Sequence, residues 1–219
     1  MKTFAALLLG LFVAASMASA ATPLTGKLVA LDAGHGGTET GAVNGVYQVY
    51  EKDVNLDVVL ALKAKLETDG ALVVLTREGD ETMDSRKSRV DLAIEKCNAL
   101  YGRKCDILVS VHPNGNTAPP HDGTLVIYNE KQDRPLAQAL HDALIAGLGL
   151  NDEGYLNGGY GITVYGHLVS ALTEAYYITN NNEAQAWRAG TRTPQEVDAL
   201  YNGLVSYFSA KTGGKPRGR

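Results

Sequence analysis

Apolar residues recur along the chain in two alternating spacings. Short apolar runs predict β-strands at residues 28–31, 72–75, 107–111, 124–128 and 170–173. Between them, apolar residues three and four positions apart predict helices over 53–69, around 90–97, over 134–148 and from Pro194 onwards. Strands separated by helices of this length predict an α/β fold: a single domain with a largely parallel sheet and helices on both faces.

Particular residue types also indicate where one helix ends, where another begins and where a long loop lies. Gly70 follows the helix at 53–69, as a C-terminal glycine does. At the last helix, Thr193 is a natural N-cap, Glu196 completes a capping box, and Pro194 suits the first helical position. Residues 149–161 are rich in Gly, Asn and Tyr, and we expect them to form a long loop.

The first twenty residues have the pattern of a targeting segment. Lys2 gives a positive start, residues 4–13 are largely apolar, and residues 18–20 are small, as at a signal-peptidase site. The apolar run is too short for a permanent membrane span, and an uncleaved anchor is the alternative. We therefore expect a signal peptide over 1–20, export to the periplasm or extracellular space, and no membrane anchor after cleavage.

The rest of the chain is long enough for one domain with a sizeable core, which we assign to residues 21–210. Residues 211–219 carry four basic side chains among Gly and Pro, and we expect a flexible tail there. The hydrophobic fraction of 45% excludes a disordered chain. The formal net charge of −4, without a basic stripe, argues against nucleic-acid binding.

Two cysteines, Cys97 and Cys105, would enter an oxidising compartment on export, which favours a disulfide between them. Their spacing excludes a C-x2-C zinc site. Two free buried thiols are the alternative.

The candidate chemistry must be assembled from distant residues, because the sequence contains no G-x-S-x-G, no H-E-x-x-H and no phosphate-binding glycine loop. His35 follows the first strand among glycines, and His112 ends the third. The carboxyl ends of parallel strands line one edge of a sheet, where ligands bind. Glu51, near the start of the first helix, and Glu174, after the strand at 170–173, are expected at the same edge.

Two histidines and one carboxylate with an open fourth position form the ligand set of a catalytic zinc hydrolase. The residues alone leave another interpretation open. A histidine at a strand end is often a hydrogen-bonding loop residue, and a glutamate at a helix start favours the helix dipole. His121, His141 and His167 lie outside this pattern, and we do not expect them to be ligands.

Five ordered segments resemble a known family, the zinc-dependent N-acetylmuramoyl-L-alanine amidases of the amidase 3 type. They are Leu-Asp-Ala-Gly-His-Gly-Gly at 31–37, Glu-Lys-Asp-Val-Asn-Leu at 51–56, Leu-Thr-Arg at 75–77, Ser-Val-His-Pro-Asn at 110–114 and Leu-Thr-Glu at 172–174. The resemblance implies one Zn²⁺ held by His35, Glu51 and His112, with Glu174 working beside the metal. It also implies a twisted mixed sheet and a peptidoglycan substrate, cut between N-acetylmuramic acid and the L-Ala of the stem peptide.

Some positions depart from the usual pattern of the family. Pro113 follows the second histidine in place of a small residue, residues 175–180 lack the usual Gly and Phe, and the segment between the cysteines is longer. No implied ligand is lost, so these departures bear on substrate preference. A zinc peptidase cutting within the stem peptide, or a wall-binding module without catalysis, are the alternative functions.

Some members of this family carry an extra helix that covers the zinc, inserted between the second histidine and the late glutamate. Here that interval is filled by the predicted strand 124–128, the helix 134–148 and the return to the next strand. Neither residues 113–123 nor residues 149–161 have the apolar periodicity of a blocking helix. We therefore expect no obligatory protein activator.

Overall fold

The computed structural model describes residues 21–83, 85–117 and 121–212. The predicted signal peptide at 1–20 and residues 213–219 of the predicted tail lie outside this part of the chain. Within the described part, no helix combines the length and apolarity that a membrane span needs.

A mixed sheet of six strands forms the centre of the fold, in the order β4-β1-β5-β8-β6-β7. Its strands are β1 (Leu28–Ala33), β4 (Leu72–Leu75), β5 (Ile107–Asn114), β6 (Thr124–Tyr128), β7 (Asp152–Asn157) and β8 (Ser170–Tyr177), and a separate small hairpin pairs β2 (Val43–Asn44) with β3 (Val49–Tyr50). Strands β4, β1, β5 and β8 run parallel. Strand β6 is antiparallel to β8, and β7 is parallel to β6. The largely parallel, mixed sheet is thereby confirmed.

Helices cover both faces of this sheet, as the sequence predicts. They are α1 (Glu51–Thr68), α2 (Arg86–Tyr101), α3 (Arg134–Leu148), α4 (Asn181–Arg188) and α5 (Arg192–Thr212), with a short 3₁₀ helix at Gly161–Val164. Val29 and Leu31 of β1 join the larger core with α1, α3 and α5. Leu28 and Ala30, pointing the other way, join the smaller core with α2 and the 3₁₀ helix.

The predicted loop at 149–161 is partly wrong, because residues 152–157 form β7. This strand pairs with β6 at the edge of the sheet, and most of its side chains are half-buried or exposed. An edge strand needs no apolar alternation, since one side of it faces solvent. The short hairpin β2–β3 and helix α4 were also not predicted.

The predicted start of the last helix is wrong as well. Helix α5 begins at Arg192, so Thr193 and Pro194 lie in its first turn, and Thr193 is not an N-cap. The Arg192 guanidinium bonds the Glu183 carboxylate of α4, with Nη2 2.6 Å from Oε1, which ties the helix start to its neighbour. Glu196 is buried and does not close a capping box.

A disulfide joins Cys97 of α2 to Cys105, just before β5. Both residues are buried in the smaller core. The predicted pairing is thus confirmed.

Candidate metal centre

Four side chains from different elements meet at the carboxyl edge of the parallel strands. His35 lies two residues beyond β1, His112 lies within β5, and Glu51 is the first residue of α1. Glu174 lies in β8, directly paired with His112 in the β5–β8 register. The strand order thus brings together the residues that the sequence selects.

The three predicted ligands converge on one point. His35 Nε2 lies 3.0 Å from Glu51 Oε1, and His112 Nδ1 lies 2.8 Å from the same oxygen. One ligand atom from each residue lies within 4.8 Å of the others. The two imidazole rings are 5.0 Å apart and nearly perpendicular. Two imidazole nitrogens and a carboxylate oxygen at this separation could hold one divalent metal ion.

The charge of Glu51 is fixed by its partners. Burial alone would raise the pKa of Glu51, but hydrogen bonds from His112 and His35 outweigh it and lower this pKa to about 2. The second carboxylate oxygen, Oε2, accepts a hydrogen bond of 2.7 Å from the backbone N–H of Ala42. Glu51 is therefore an ionised carboxylate with one oxygen anchored and the other directed at the histidines.

Glu174 differs from Glu51 in having no such anchor. Its Oε2 is inaccessible to solvent and has no hydrogen-bond partner among the described residues. Burial raises the pKa of Glu174 to about 7; the charge of His112 opposes this shift and that of Glu51 adds to it. A carboxyl group that is buried, unanchored and next to a candidate ligand is suited to exchange a proton.

Two glycines leave room for the ligand side chains. A Cβ on Gly34 would lie 2.1 Å from Cε1 of His112, and a Cβ on Gly41 would lie 2.5 Å from Glu51 Oε2. The chain turns sharply at Gly36 and Gly37, which both have a positive φ, and Gly34 makes space for His112. His35 itself has a φ of 59°, a left-handed conformation that few non-glycine residues adopt.

The backbone beneath His35 is held by two arginines that the sequence analysis did not single out. Arg77 Nε donates to the carbonyl of Ala33 at 2.9 Å, and its Nη2 donates to Gly34 and Lys52 carbonyls. Arg89 Nη1 donates to the carbonyl of Ala33 at 2.8 Å, and its Nη2 donates to that of His35. The only local signal for them in the sequence is Arg77 itself, two residues after the buried strand β4.

Asp32 neutralises Arg89 below this turn. Its Oδ1 lies 2.9 Å from Arg89 Nη1, and its two oxygens also accept hydrogen bonds of 2.6 Å from Thr76 and Ser110. Burial would raise the pKa of Asp32, but Arg89 and the two hydroxyls outweigh it and lower this pKa below its usual value. The buried charge of Asp32 is therefore matched by Arg89, whereas Arg77 is held by backbone carbonyls alone.

The remaining histidines do not reach the centre. His121 pairs with Glu153, His141 is buried against Asp152, and His167 pairs with Glu130. None of the three lines the cavity of about 280 Å³ that contains His35, Glu51, His112 and Glu174. This placement agrees with the prediction that these three histidines are not metal ligands.

The chain matches a protein-family model described as N-acetylmuramoyl-L-alanine amidase over residues 29–206. It is 30% identical over 191 residues to the N-acetylmuramoyl-L-alanine amidase LytC of Bacillus subtilis, covering 85% of this chain but 36% of LytC. It is 33% identical to the uncharacterised protein YqiI of the same organism, covering 89% of this chain and 91% of YqiI. The chain thus spans about a third of one relative and nearly all of the other.

The fold is also similar to that of a solved amidase structure. The N-acetylmuramoyl-L-alanine amidase from Clostridium difficile 630 superposes with a TM-score of 0.77 at 26% identity, covering 85% of this chain and 99% of that one. The sequence segments, the mixed sheet and the convergent His-Glu-His cluster agree with these matches. The chain belongs to the Amidase_3 family of N-acetylmuramoyl-L-alanine amidases.

Proposed function

We propose that this protein is a zinc-dependent amidase that releases the stem peptide from peptidoglycan. The bond cut is the amide between the lactyl group of N-acetylmuramic acid and the L-Ala of the peptide. The observation that carries this proposal is the convergence of His35, Glu51 and His112 beside the unanchored carboxyl of Glu174.

The donor set fits zinc, because two imidazoles and one carboxylate are the protein ligands of several zinc hydrolases. Zinc bound by these residues would supply Lewis-acid polarisation of the scissile carbonyl and of a water molecule. Glu51 remains ionised and fixed by the Ala42 N–H, so it serves as a permanent anionic ligand.

Glu174 is the residue that we propose moves the proton. Its carboxylate would take a proton from the attacking water as the O–H bond breaks and the new C–O bond forms. It would then pass that proton to the leaving nitrogen as the C–N bond breaks, so that the products are a lactyl carboxylate and a peptide with a free amino end.

The two rival functions make different demands on the same residues. A wall-binding module without catalysis needs none of the four side chains, yet all four are present and converge. A peptidase within the stem peptide would use the same site, and the family match favours the amidase.

Digestion of purified peptidoglycan by the zinc-loaded protein separates these functions. Mass spectrometry should find intact stem peptides beginning with L-Ala and glycan chains with free lactyl groups. Shortened peptides would identify a peptidase instead. A protein that neither binds zinc nor releases any peptide would be the binding module.

Single substitutions test the assigned roles. Replacing His35, Glu51 or His112 by Ala should remove most bound zinc and nearly all turnover. Glu174→Gln should retain zinc and slow turnover by about 10²–10⁴-fold, the usual contribution of a general acid–base group. Near-normal turnover by Glu174→Gln, or stoichiometric zinc in all three ligand variants, would contradict these assignments.

We also infer that the domain over 21–210 acts outside the cytoplasm after removal of residues 1–20. One relative, LytH of Staphylococcus aureus, is named a probable cell wall amidase, and peptidoglycan lies outside the cytoplasm. N-terminal sequencing of the exported protein should begin at Ala21. A protein that starts at Met1 in the membrane fraction would indicate the uncleaved anchor.

We infer that the enzyme needs no protein activator. Within the described residues 121–173, α3 is the one α-helix, and it packs on α5 and β6. No residue of α3 lines the cavity of the metal centre. The CwlD amidase from Clostridioides difficile, with a TM-score of 0.71 at 24% identity over 84% of this chain and 99% of that one, was solved in complex with the GerS lipoprotein. Turnover by the purified protein alone should distinguish the two situations, and activity only after a partner is added would refute this inference.

A further inference from the structure

One wall of the metal-centre cavity carries an arginine and a tyrosine that the proposed chemistry does not use. Arg86 is the first residue of α2, and Tyr160 directly precedes the 3₁₀ helix. Both residues line the cavity that holds Glu174 and the candidate ligands. The Arg86 guanidinium carbon lies 5.0 Å from the centre of the Tyr160 ring. This cation–π contact places the guanidinium at the cavity wall.

Among the arginines that the structure describes around this site, Arg86 alone has hydrogen-bonding capacity that is not already occupied. Arg77 and Arg89 are used by backbone carbonyls and by Asp32. Among the described residues, Arg86 forms neither a hydrogen bond nor an ion pair; the neighbouring Lys87 pairs with Asp91 instead. The five N–H donors of the Arg86 guanidinium are therefore available to a ligand.

The other arginine that lines the cavity, Arg89, is paired with Asp32 and is not available to a ligand. The remaining carboxylates of the lining belong to Glu39, Glu51 and Glu174. An anionic group entering beside these carboxylates would be repelled unless a cation received it. The planar guanidinium matches a carboxylate through two parallel hydrogen bonds, so this is the anion that Arg86 is best shaped to bind.

The substrate has such a group close to the bond that is cut. In a stem peptide, the residue after L-Ala carries either a free α-carboxylate or its amide. A cavity of about 280 Å³ spans on the order of 8 Å, which is about two residues of extended chain. The scissile amide at the metal centre and a carboxylate one residue further can therefore occupy the same cavity.

We propose that Arg86, positioned by Tyr160, binds the free α-carboxylate of the second stem residue and makes the enzyme prefer peptides in which it is not amidated. This inference rests on the proposed function and adds the substrate class to it. Arg86 contacts substrate, whereas Tyr160 is a positioning residue that acts through Arg86.

Two synthetic substrates test the preference. Both consist of N-acetylmuramic acid linked to L-Ala, then γ-linked D-Glu or D-isoglutamine, then an L-Lys carboxamide, so that they differ by one carboxylate. The wild-type enzyme should show a KM about ten-fold lower for the D-Glu substrate, as expected for a charge-assisted pair at a partly solvated site. The difference should lie in KM rather than in kcat.

Variants assign the preference to Arg86. Arg86→Met should raise the KM of the D-Glu substrate to that of the amide, and Arg86→Lys should restore part of the difference. Tyr160→Leu should weaken the preference without abolishing it. Lys87→Met, which removes a neighbouring cation that does not line the cavity, is the matched control and should leave the preference intact.

Failure of this inference is separable from failure of the proposed function. Equal KM values in the wild type, or an unchanged preference in Arg86→Met, would overturn the inference while the amidase activity stands. If the wild type cleaves neither substrate, the proposed function fails. Calorimetric binding of both peptides to the Glu174→Gln protein then still decides the preference, with equal affinities overturning it.

Discussion

The protein buries two networks of charged side chains, and they differ in how completely their polar atoms are hydrogen-bonded. The turn network beneath His35 joins Asp32, Arg77 and Arg89 to the carbonyls of residues 33–35 and to two hydroxyls. The helix-junction network joins Tyr176, Glu183, Arg192 and Glu196 between β8, α4 and α5.

The turn network is satisfied throughout. None of its polar side-chain atoms is among the buried described atoms that lack a hydrogen-bond partner. In the helix-junction network, Arg192 bonds the Glu183 carboxylate, whereas both carboxylate oxygens of Glu196 are buried without a well-aligned hydrogen bond among the described residues. Burial accordingly raises the pKa of Glu196 to about 8, although Tyr176 and Arg192 oppose this shift.

The difference indicates separate demands on the two regions. The turn network holds a left-handed histidine at the candidate metal centre, where a displacement of one ångström would disturb the ligand geometry. The helix-junction network only fastens α4 to α5, on the face away from α2, and tolerates an uncharged carboxyl group.

Breaking the turn network should have the largest effect. Arg89→Met leaves Asp32 as an uncompensated buried charge, which costs about 3–5 kcal/mol of the free energy of unfolding. The measurement is denaturant unfolding at pH 7. Lys87→Met is the control on the same helix: its exposed pair with Asp91 contributes at most about 1 kcal/mol. A loss below 1 kcal/mol in Arg89→Met would mean that Asp32 is neutralised by other means.

A smaller change should disturb the metal centre while leaving the charged side chains of the turn network in place. In Gly34→Ala the new Cβ overlaps the His112 ring, so the ring or the turn that faces it must shift and the ligand geometry changes. We expect zinc affinity to fall by about 10–100-fold, the range for changes that misplace a ligand. Zinc titration with a chelator competitor measures this.

Gly45→Ala is the matched control for this substitution. A Cβ on Gly45 meets nothing within 4 Å, and the residue lies in the β2–β3 hairpin, away from the ligands. Its zinc affinity should equal that of the wild type. An unchanged affinity in Gly34→Ala would show that His112 can move without loss, or that it is not a ligand.

The sequence predicts the residues of the metal centre better than it predicts either charged network. His35, Glu51, His112 and Glu174 were selected because strand ends and a helix start place chemistry at one edge of a parallel sheet. The turn network was missed because Arg77 and Arg89 bond to carbonyls more than forty positions earlier, and no local pattern reports such contacts. Glu196 was misassigned as a capping residue because the pattern of a capping box does not reveal burial.

Strand β7 and helix α4 escape prediction from the sequence for similar reasons. Strand β7 is an edge strand of largely polar residues, so its pairing with β6 leaves no apolar alternation to detect. Helix α4 is only eight residues long and starts at the N-cap Asn180, whose side chain accepts from the Asn182 N–H. A helix this short depends on tertiary contacts rather than on its own propensity.

The smallest expected effect is the pH dependence of stability that arises from Glu196 in the helix-junction network. Glu196 has a pKa near 4.5 when unfolded and about 8 when folded, so the unfolded chain releases its proton first as pH rises. The stability that the neutral carboxyl contributes is complete below about pH 4.5 and is lost progressively up to about pH 8. The wild type should therefore become less stable between these values, relative to a variant that cannot ionise at this position.

Glu196→Gln is that variant, because it keeps the shape and stays neutral. The protonation difference amounts to several kcal/mol, but the amide adds a buried donor that costs about 1–3 kcal/mol when unpaired. The net result should be a gain of about 1–2 kcal/mol over the wild type at pH 8, and a loss of about 1–3 kcal/mol at pH 4.5, where only the cost of the amide remains. Unfolding curves at the two pH values measure the change, and Glu95→Gln, an exposed site on α2, should show no such crossover. Parallel pH profiles for Glu196→Gln and the wild type would mean that Glu196 is ionised in the fold and that Arg192 neutralises both glutamates.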